Sequence, residues 1–324
     1  ERAHANLVSI AQSGMTLDLL TVFCSQLTQH LPGTSDPDLA LNTLDRFVRA
    51  SRNPLSLASL LERDLATMPI LLQILSTSQY LGDLIVLDPE SFDLIRLTEG
   101  LPVARDQLVL EMCSEAEAMA DERSVMALLR LYKRRETLRI AYGDIVREQR
   151  LEVVTRQISF LADAICEAAL VGARNHLQAR HGTPRQADGQ PARFVVLGMG
   201  KLGGQELNYS SDIDLILLYD ADGKTDGPRP VTNQEYFDRL ARQFFKLLTE
   251  PTELGAAYRV DLRLRPEGSR GPMVISRDAA LRYYDVSGRT WERQAFVKAR
   301  PVAGSLDFGR ELLRHLEPWI YRRY

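Results

Sequence analysis

Between two apolar runs the chain places a glycine-rich turn and then two aspartates spaced i, i+2: Phe194–Tyr219 reads FVVLGMGKLGGQELNYSSDIDLILLY. Ile213, Leu215, Ile216, Leu217 and Leu218 predict a buried strand, and because successive strand side chains point to opposite faces, Asp212 and Asp214 share one face about 7 Å apart. An isolated Asp-x-Asp is commonplace at a solvated strand end or turn. Two charges on one face of a buried strand are costly unless a cation meets them. Hard divalent cations, Mg²⁺ above all, are held by a few carboxylates together with substrate phosphates. Gly203 and Gly204 add a turn whose backbone N–H groups could approach a phosphate. The implied chemistry is phosphoryl or nucleotidyl transfer, with Ser211 as polar support of the turn.

A third carboxylate follows in AAYRVDLRLRPEGSRGPMV, where Tyr258, Val260, Leu262 and Leu264 alternate with Arg259, Asp261, Arg263 and Arg265. This predicts a second period-two strand with its polar residues on one face. That face suits a solvated edge strand as well as a site. Beside the first two aspartates, Asp261 would be the third ligand or a base, and Arg263 or Arg265 a clamp on phosphate oxygens.

Two aspartates on one strand, a third on a neighbouring strand and a preceding Gly-Gly turn resemble the nucleotidyltransferase fold of the DNA polymerase beta superfamily. Only seven residues separate Gly204 from Asp212, fewer than in most of that superfamily. The blocks GMGKLGGQELNYSSDIDLI, VDLRLRPEGSRGPMV and GRTWERQAFVKARPVAG narrow the resemblance to the glutamine synthetase adenylyltransferases. Members of that family carry two related halves, one that attaches AMP to glutamine synthetase and one that removes it. Glu206-Leu207-Asn208 with Ser210-Ser211, the Gly288–Arg293 run, Lys298-Ala299-Arg300 and the final Tyr321-Arg322-Arg323-Tyr324 are similar to the amino-terminal, removing half. The attaching half would carry a histidine where Arg293 stands.

The resemblance implies phosphorolysis of the AMP–tyrosine bond to give ADP, in the regulation of nitrogen assimilation. Asp212, Asp214 and Asp261 would be catalytic and hold Mg²⁺. Gly203, Gly204, Ser211, Arg263, Arg265, Lys298 and Arg300 would meet nucleotide and phosphate. The partners implied are glutamine synthetase and the PII signal protein. Two alternatives stay open: the ATP-dependent attaching half, or a non-catalytic module that binds either partner.

A formal net charge of −3 lacks the basic excess of a nucleic-acid binder. Cys24, Cys113 and Cys166 are widely spaced and odd in number, which indicates neither a disulfide framework nor a thiolate metal site. None of the five histidines lies in the three blocks. No membrane-spanning run or signal pattern is evident, so a cytoplasmic setting is expected. A chain from Glu1 to Tyr324 is expected to be a segment of a longer protein, truncated at its carboxy-terminal end.

The expected class is α+β: a helical region over 1–182, then a nucleotidyltransferase mixed sheet with flanking helices over 183–324. Asn53-Pro54 and Asp88-Pro89 each predict a helix start, a capping residue before a proline that has no N–H to lose. Met68, Leu71, Leu72 and Leu75 form one apolar face, and Leu81, Leu84, Ile85 and Leu87 another. Two longer helices are expected from Glu122 to about Gly182, with stripes Val125, Leu128, Leu129, Tyr132, Leu138, Ile140 and Ile158, Leu161, Ile165, Ala168, Ala169. Lys133-Arg134-Arg135 is a basic cluster that reads as a solvated helix face before one that faces AMP or a partner, and Gly182–Ala192 reads as a linker or exposed loop. Thr232 and Glu235 predict a capping box ahead of an amphipathic helix, and the chain from Arg277 onward reads as helical.

Overall fold

Side-chain caps open three helices of the amino-terminal third, where Thr16, Asp36 and Asn53 each accept a backbone N–H. The computed structural model describes residues 2–322, apart from the side chain of Leu94; Arg323 and Tyr324 of the final run lie outside the described residues. The first helices are α1 (Arg2–Ala11), α2 (Leu17–His30), α3 (Pro37–Ala50), α4 (Pro54–Arg63), α5 (Thr67–Thr77), α6 (Gln79–Leu87) and α7 (Ser91–Thr98). Asn53 caps α4 as expected, its side chain accepting the Ser56 N–H at 3.1 Å. Asp88-Pro89 does not open a helix. The Asp88 N–H closes α6 on the Leu84 carbonyl, and the Asp88 carbonyl accepts from both the N–H and the hydroxyl of Ser91, so α7 starts after a turn. Met68, Leu71, Leu72 and Leu75 are buried as predicted, and so are Leu81, Leu84 and Ile85, but Leu87, in the last turn of α6, is 62% exposed.

Next come α8 (Arg105–Ala118), α9 (Glu122–Ile145) and α10 (Leu151–His181), and every residue of the two predicted long-helix stripes is buried. The change from helix to strand falls between His181 and Pro184. Compactness groups the chain differently: one unit comprises 1–102 with 134–154, the other 103–133 with 155–324.

In the second unit follow β1 (Pro184–Gln186), β2 (Phe194–Gly198), α11 (Gly200–Gly203), β3 (Ile213–Tyr219), β4 (Gly223–Thr225), α12 (Asn233–Thr249), β5 (Val260–Asp261), β6 (Val274–Ser276), α13 (Arg277–Val286), α14 (Thr290–Phe296), β7 (Arg300–Gly304) and α15 (Leu306–Ile320). The fold is α+β with a mixed sheet, as the sequence predicts. β2 lies between β3 and β7, antiparallel to both, and β3 pairs in parallel with β5 near its start and with β6 near its end. The predicted linker contains β1, which pairs with β4 through Pro184–Thr225, Arg185–Lys224 and Gln186–Gly223. The region after Arg277 is helical apart from short connections and β7, whose Val302 and Ala303 are fully buried beside β2.

Strand alternation gives the sheet two apolar faces. Ile216 and Leu218 join Val195, Leu197, Tyr284, Phe308 and Leu312 in one core. On α12, Phe237 stacks on Phe194 and Tyr219 at centroid distances of 5.4 and 5.0 Å. The predicted Thr232–Glu235 capping box is formed, and Tyr236, Phe237, Leu240, Phe244 and Leu248 are buried.

A buried ion cluster ties the sheet to its helices. The Asp163 carboxylate on α10, with no exposed side-chain surface, accepts from Arg105 Nε at 2.7 Å and from Arg300 Nη1 and Nη2 at 2.6 and 3.0 Å. Removing one partner of such a cluster leaves uncompensated buried charge. We expect Asp163→Ala to destabilise the fold by about 3–5 kcal/mol, measured by urea unfolding; a loss below about 1 kcal/mol, the worth of a surface pair, would contradict the buried-cluster reading.

Candidate active site

The three aspartates are brought together by register. β3 and β5 run in parallel with Ile213 opposite Val260 and Asp214 opposite Asp261, so the last two carboxylates stand side by side on one face. Asp212 precedes Asp214 by two residues and enters from the same side. Asp214 is held above its ordinary carboxylate range, first by burial, then by the charges of Asp261 and Asp212. Asp261 is held below it, chiefly by the Arg263 side chain, which donates through Nε at 2.7 Å. The Arg263 backbone N–H adds a 2.8 Å bond to the same carboxylate. Asp212 pairs with Arg259, which also donates to the Ser210 carbonyl at 3.2 Å.

Both partnering arginines are largely solvent-exposed, Arg259 by 75% and Arg263 by 82% of the side chain. Asp214 has no hydrogen-bond donor or ion-pair partner among the described residues. The site therefore carries three carboxylates, two paired with exposed arginines and one without a direct partner, on which Arg263 and Lys201 act only through their charge. No group of three or more His, Cys, Asp or Glu residues stands ready to ligate one ion among the described residues. The oxygen donors and crowded negative charge suit a hard divalent cation.

The approach to Asp214 depends on one glycine. Gly200 opens α11 at φ +52°, and a Cβ there would stand 2.9 Å from Asp214 Oδ2. The Met199 N–H donates to the Asp214 carbonyl at 2.9 Å, which joins α11 to β3. Ser211 turns the chain into β3: its hydroxyl donates to the Asn208 side chain and accepts the Asn208 N–H.

Other expected phosphate groups have different duties. The N–H groups of Gly203 and Gly204 donate to Met199 and Gly200 carbonyls at 3.0 and 3.1 Å, so these amides have no free donor for phosphate. Gly203 is glycine for packing, since a Cβ there would lie 2.0 Å from the Lys298 carbonyl oxygen. Arg265 donates to the carbonyls of Leu262, Ser269, Gly271 and Pro272, bracing the 262–272 loop, because after two residues β5 gives way to a turn instead of continuing as a strand. Arg300 is committed to Asp163 and to the Leu202 and Gly203 carbonyls. Lys298 reaches Glu206 at 2.7 Å, near the surface. Of the four basic side chains expected at phosphate, only Arg263 joins the carboxylates.

Sequence reasoning passed over Arg259, whose place in the alternating run was its only signal, and Lys133. Lys133 is not on a solvated face: its ammonium donates to the Ala257 carbonyl at 2.5 Å and lies 4.0 Å from the centre of the Tyr258 ring. Burial, then Arg259 and Arg130, push it down to about 8. Arg130, one turn earlier, is buried and donates to carbonyls of Gly255, Leu247 and Glu250. Together these α9 side chains fasten the loop that delivers β5.

An α+β chain whose parallel strands set two aspartates side by side, with a third at the strand entrance, has the layout of a nucleotidyltransferase. Residues 68–315 match the family model described as glutamate-ammonia ligase adenylyltransferase. A bifunctional glutamine synthetase adenylyltransferase/adenylyl-removing enzyme of Thioalkalivibrio sulfidiphilus is 45% identical over 70% of this chain and 23% of its own length. Proteins of the same name from Nitrosococcus oceani and Pseudomonas aeruginosa are each 44% identical, over 67% and 69% of this chain and 22% and 23% of their own lengths. The chain belongs to the glutamate-ammonia ligase adenylyltransferase family and spans less than a quarter of these relatives. Among the described residues no helix is long and apolar enough to cross a membrane.

The raised carboxyl of Asp214 predicts a stability effect with a definite sign. An acid whose folded-state affinity for protons is raised penalises the folded state when ionised, and the penalty fades as pH falls through its folded value. Asp214→Asn should therefore melt higher than the wild type at pH 7 in the presence of a chelator. The advantage should shrink as the pH approaches about 4. A variant that melts lower at pH 7 would show that repulsion is not the controlling effect.

Proposed function

We propose that this chain removes AMP from adenylylated glutamine synthetase by Mg²⁺-dependent phosphorolysis. The observation that carries the proposal is Asp214 set against Asp261 in register, with Asp212 beside them, in a chain of this family. The Glu206–Ser211 and Trp291–Arg300 wording supports the removing direction over the ATP-dependent attaching one. Glutamine synthetase as substrate follows from the relatives' names. The PII signal protein as partner and a cytoplasmic setting rest on the family resemblance.

In the reaction, inorganic phosphate attacks the AMP phosphorus, the bond to the tyrosine oxygen breaks, and ADP and tyrosine leave. The proton lost by phosphate balances the one taken up by the phenolate. Asp212 and Asp214, with Asp261, would hold Mg²⁺, which when bound neutralises phosphate oxygens and stabilises the leaving phenolate. The chain's own groups solve the remaining problem, bringing two anions together. Arg263, paired at one end and exposed at the other, can hold the attacking phosphate beside Asp261. Arg259 does the same at the Asp212 side. Gly200 keeps the approach to Asp214 open. Positioning of this kind supplies much of the rate in phosphoryl transfer.

Incubation with adenylylated glutamine synthetase, Mg²⁺ and phosphate should release ADP, and omitting phosphate should stop it. Asp214→Asn should retain the wild-type circular dichroism spectrum and lose turnover. AMP as the product would indicate hydrolysis. Pyrophosphate formed from ATP and unmodified glutamine synthetase would assign the attaching direction.

A further inference from the structure

The second unit contains a cavity of about 420 Å³ that the catalytic reading does not use. It lies where α10, the approach to β1, the start of β2 and α12 meet, and its walls include Arg174, Gln178, Thr183, Phe194, Tyr236 and Phe237. Phe194 pairs with Tyr219 at the end of β3 away from the aspartates, about 16 Å of strand from Asp214. The volume falls within the range of small-molecule sites, roughly 300–1,000 Å³.

The chemistry of the walls is divided. Phe194 and Phe237, stacked 5.4 Å apart, line one side, but each is only 2% exposed and offers little open ring surface. The opposite side is cationic and polar. Arg174 forms no hydrogen bond or ion pair with any described residue, although a guanidinium in a recess ordinarily finds an acceptor. Glu167, two helical turns earlier on α10, accepts the Gly304 N–H at 2.6 Å and acts on Arg174 by charge alone, without a hydrogen bond or ion pair. The cavity's other arginine, Arg193, is already matched by Asp220 and Glu311 at 2.7 and 3.1 Å. Tyr236 adds a hydroxyl beside the recess, close enough for the charge of Arg174 to act on it.

We infer that this cavity is a binding site for a small organic anion, a carboxylate or phosphate on a flat apolar body, separate from the reaction centre. The anionic group takes the fork of Arg174, with Gln178 and Thr183 as further donors. The apolar body lies against the apolar lining, to which Pro184 and Ala192 contribute beside the two rings. Because β2 and β3 connect this end of the sheet to the aspartates, an occupant here touches the strands that carry the site without entering it.

Titration calorimetry with benzoate, phenyl phosphate and benzyl alcohol tests the assignment on the intact chain. One or both anions should bind at a single saturable site, and which of them binds more tightly distinguishes carboxylate from phosphate. Arg174→Gln should weaken binding about tenfold or more, the loss expected for a charged hydrogen bond. Gln178→Trp, a substitution on an exposed helix position, should block entry while leaving the melting temperature unchanged, and it carries the test if Arg174→Gln fails to fold. The inference is overturned if neither anion binds saturably, if binding survives in both variants, or if neutral benzyl alcohol binds as tightly as the anions.

Discussion

A carboxylate without access to water must be matched, and Asp163 is matched three times over by Arg105 and Arg300. The same two guanidiniums also donate to backbone: Arg105 to the Val302 carbonyl, Arg300 to those of Leu202 and Gly203. One buried charge on α10 thus fixes α8, β7 and α11 together. α11 in turn begins at Gly200, against Asp214. The position of Asp214 is thus tied, through α11, to the ion cluster on Asp163.

The site manages charge in the opposite way. Its aspartates are held by arginines on the surface, where a pair contributes little and exchanges readily with water or another partner. Asp163 gains rigidity from full burial; Asp212 and Asp261 gain replaceability from exposure. Asp214, crowded by like charge and unmatched among the described residues, is where the arrangement is least satisfied.

The aspartates were legible because period-two patterning is local: Ile213, Leu215 and Leu217 announce their strand, and the faces follow by counting. Parallel pairing of β3 with β5 was not, since register is a long-range property. Alternation alone likewise could not show that Arg265 turns back on its own loop while Arg263 stays with Asp261. Lys133 and Asp163 were missed for the same reason. Lys133 sits in a run of three cations that looks solvated, and its acceptor is 124 residues away. Asp163 lies between Ala162 and Ala164 in a helix whose small apolar residues leave room for two arginines from distant segments. Part of the GRTWERQAF wording that suggested a direction of reaction serves structure, because buried Glu292 caps α14 and accepts the Tyr283 hydroxyl at 3.0 Å.

The central claim of the proposed function is that Asp214, with Asp212 or Asp261 beside it, takes up a divalent cation, the arginines on Asp212 and Asp261 giving way as it binds. Anomalous diffraction from crystals soaked in MnCl₂ tests this most directly, because manganese reports its own position. The account predicts a peak within bonding distance of Asp214 and at least one of the other two carboxylates, with Arg259 or Arg263 displaced. Well-occupied manganese elsewhere, with Arg259 and Arg263 still on their aspartates and no peak at Asp214, would contradict it.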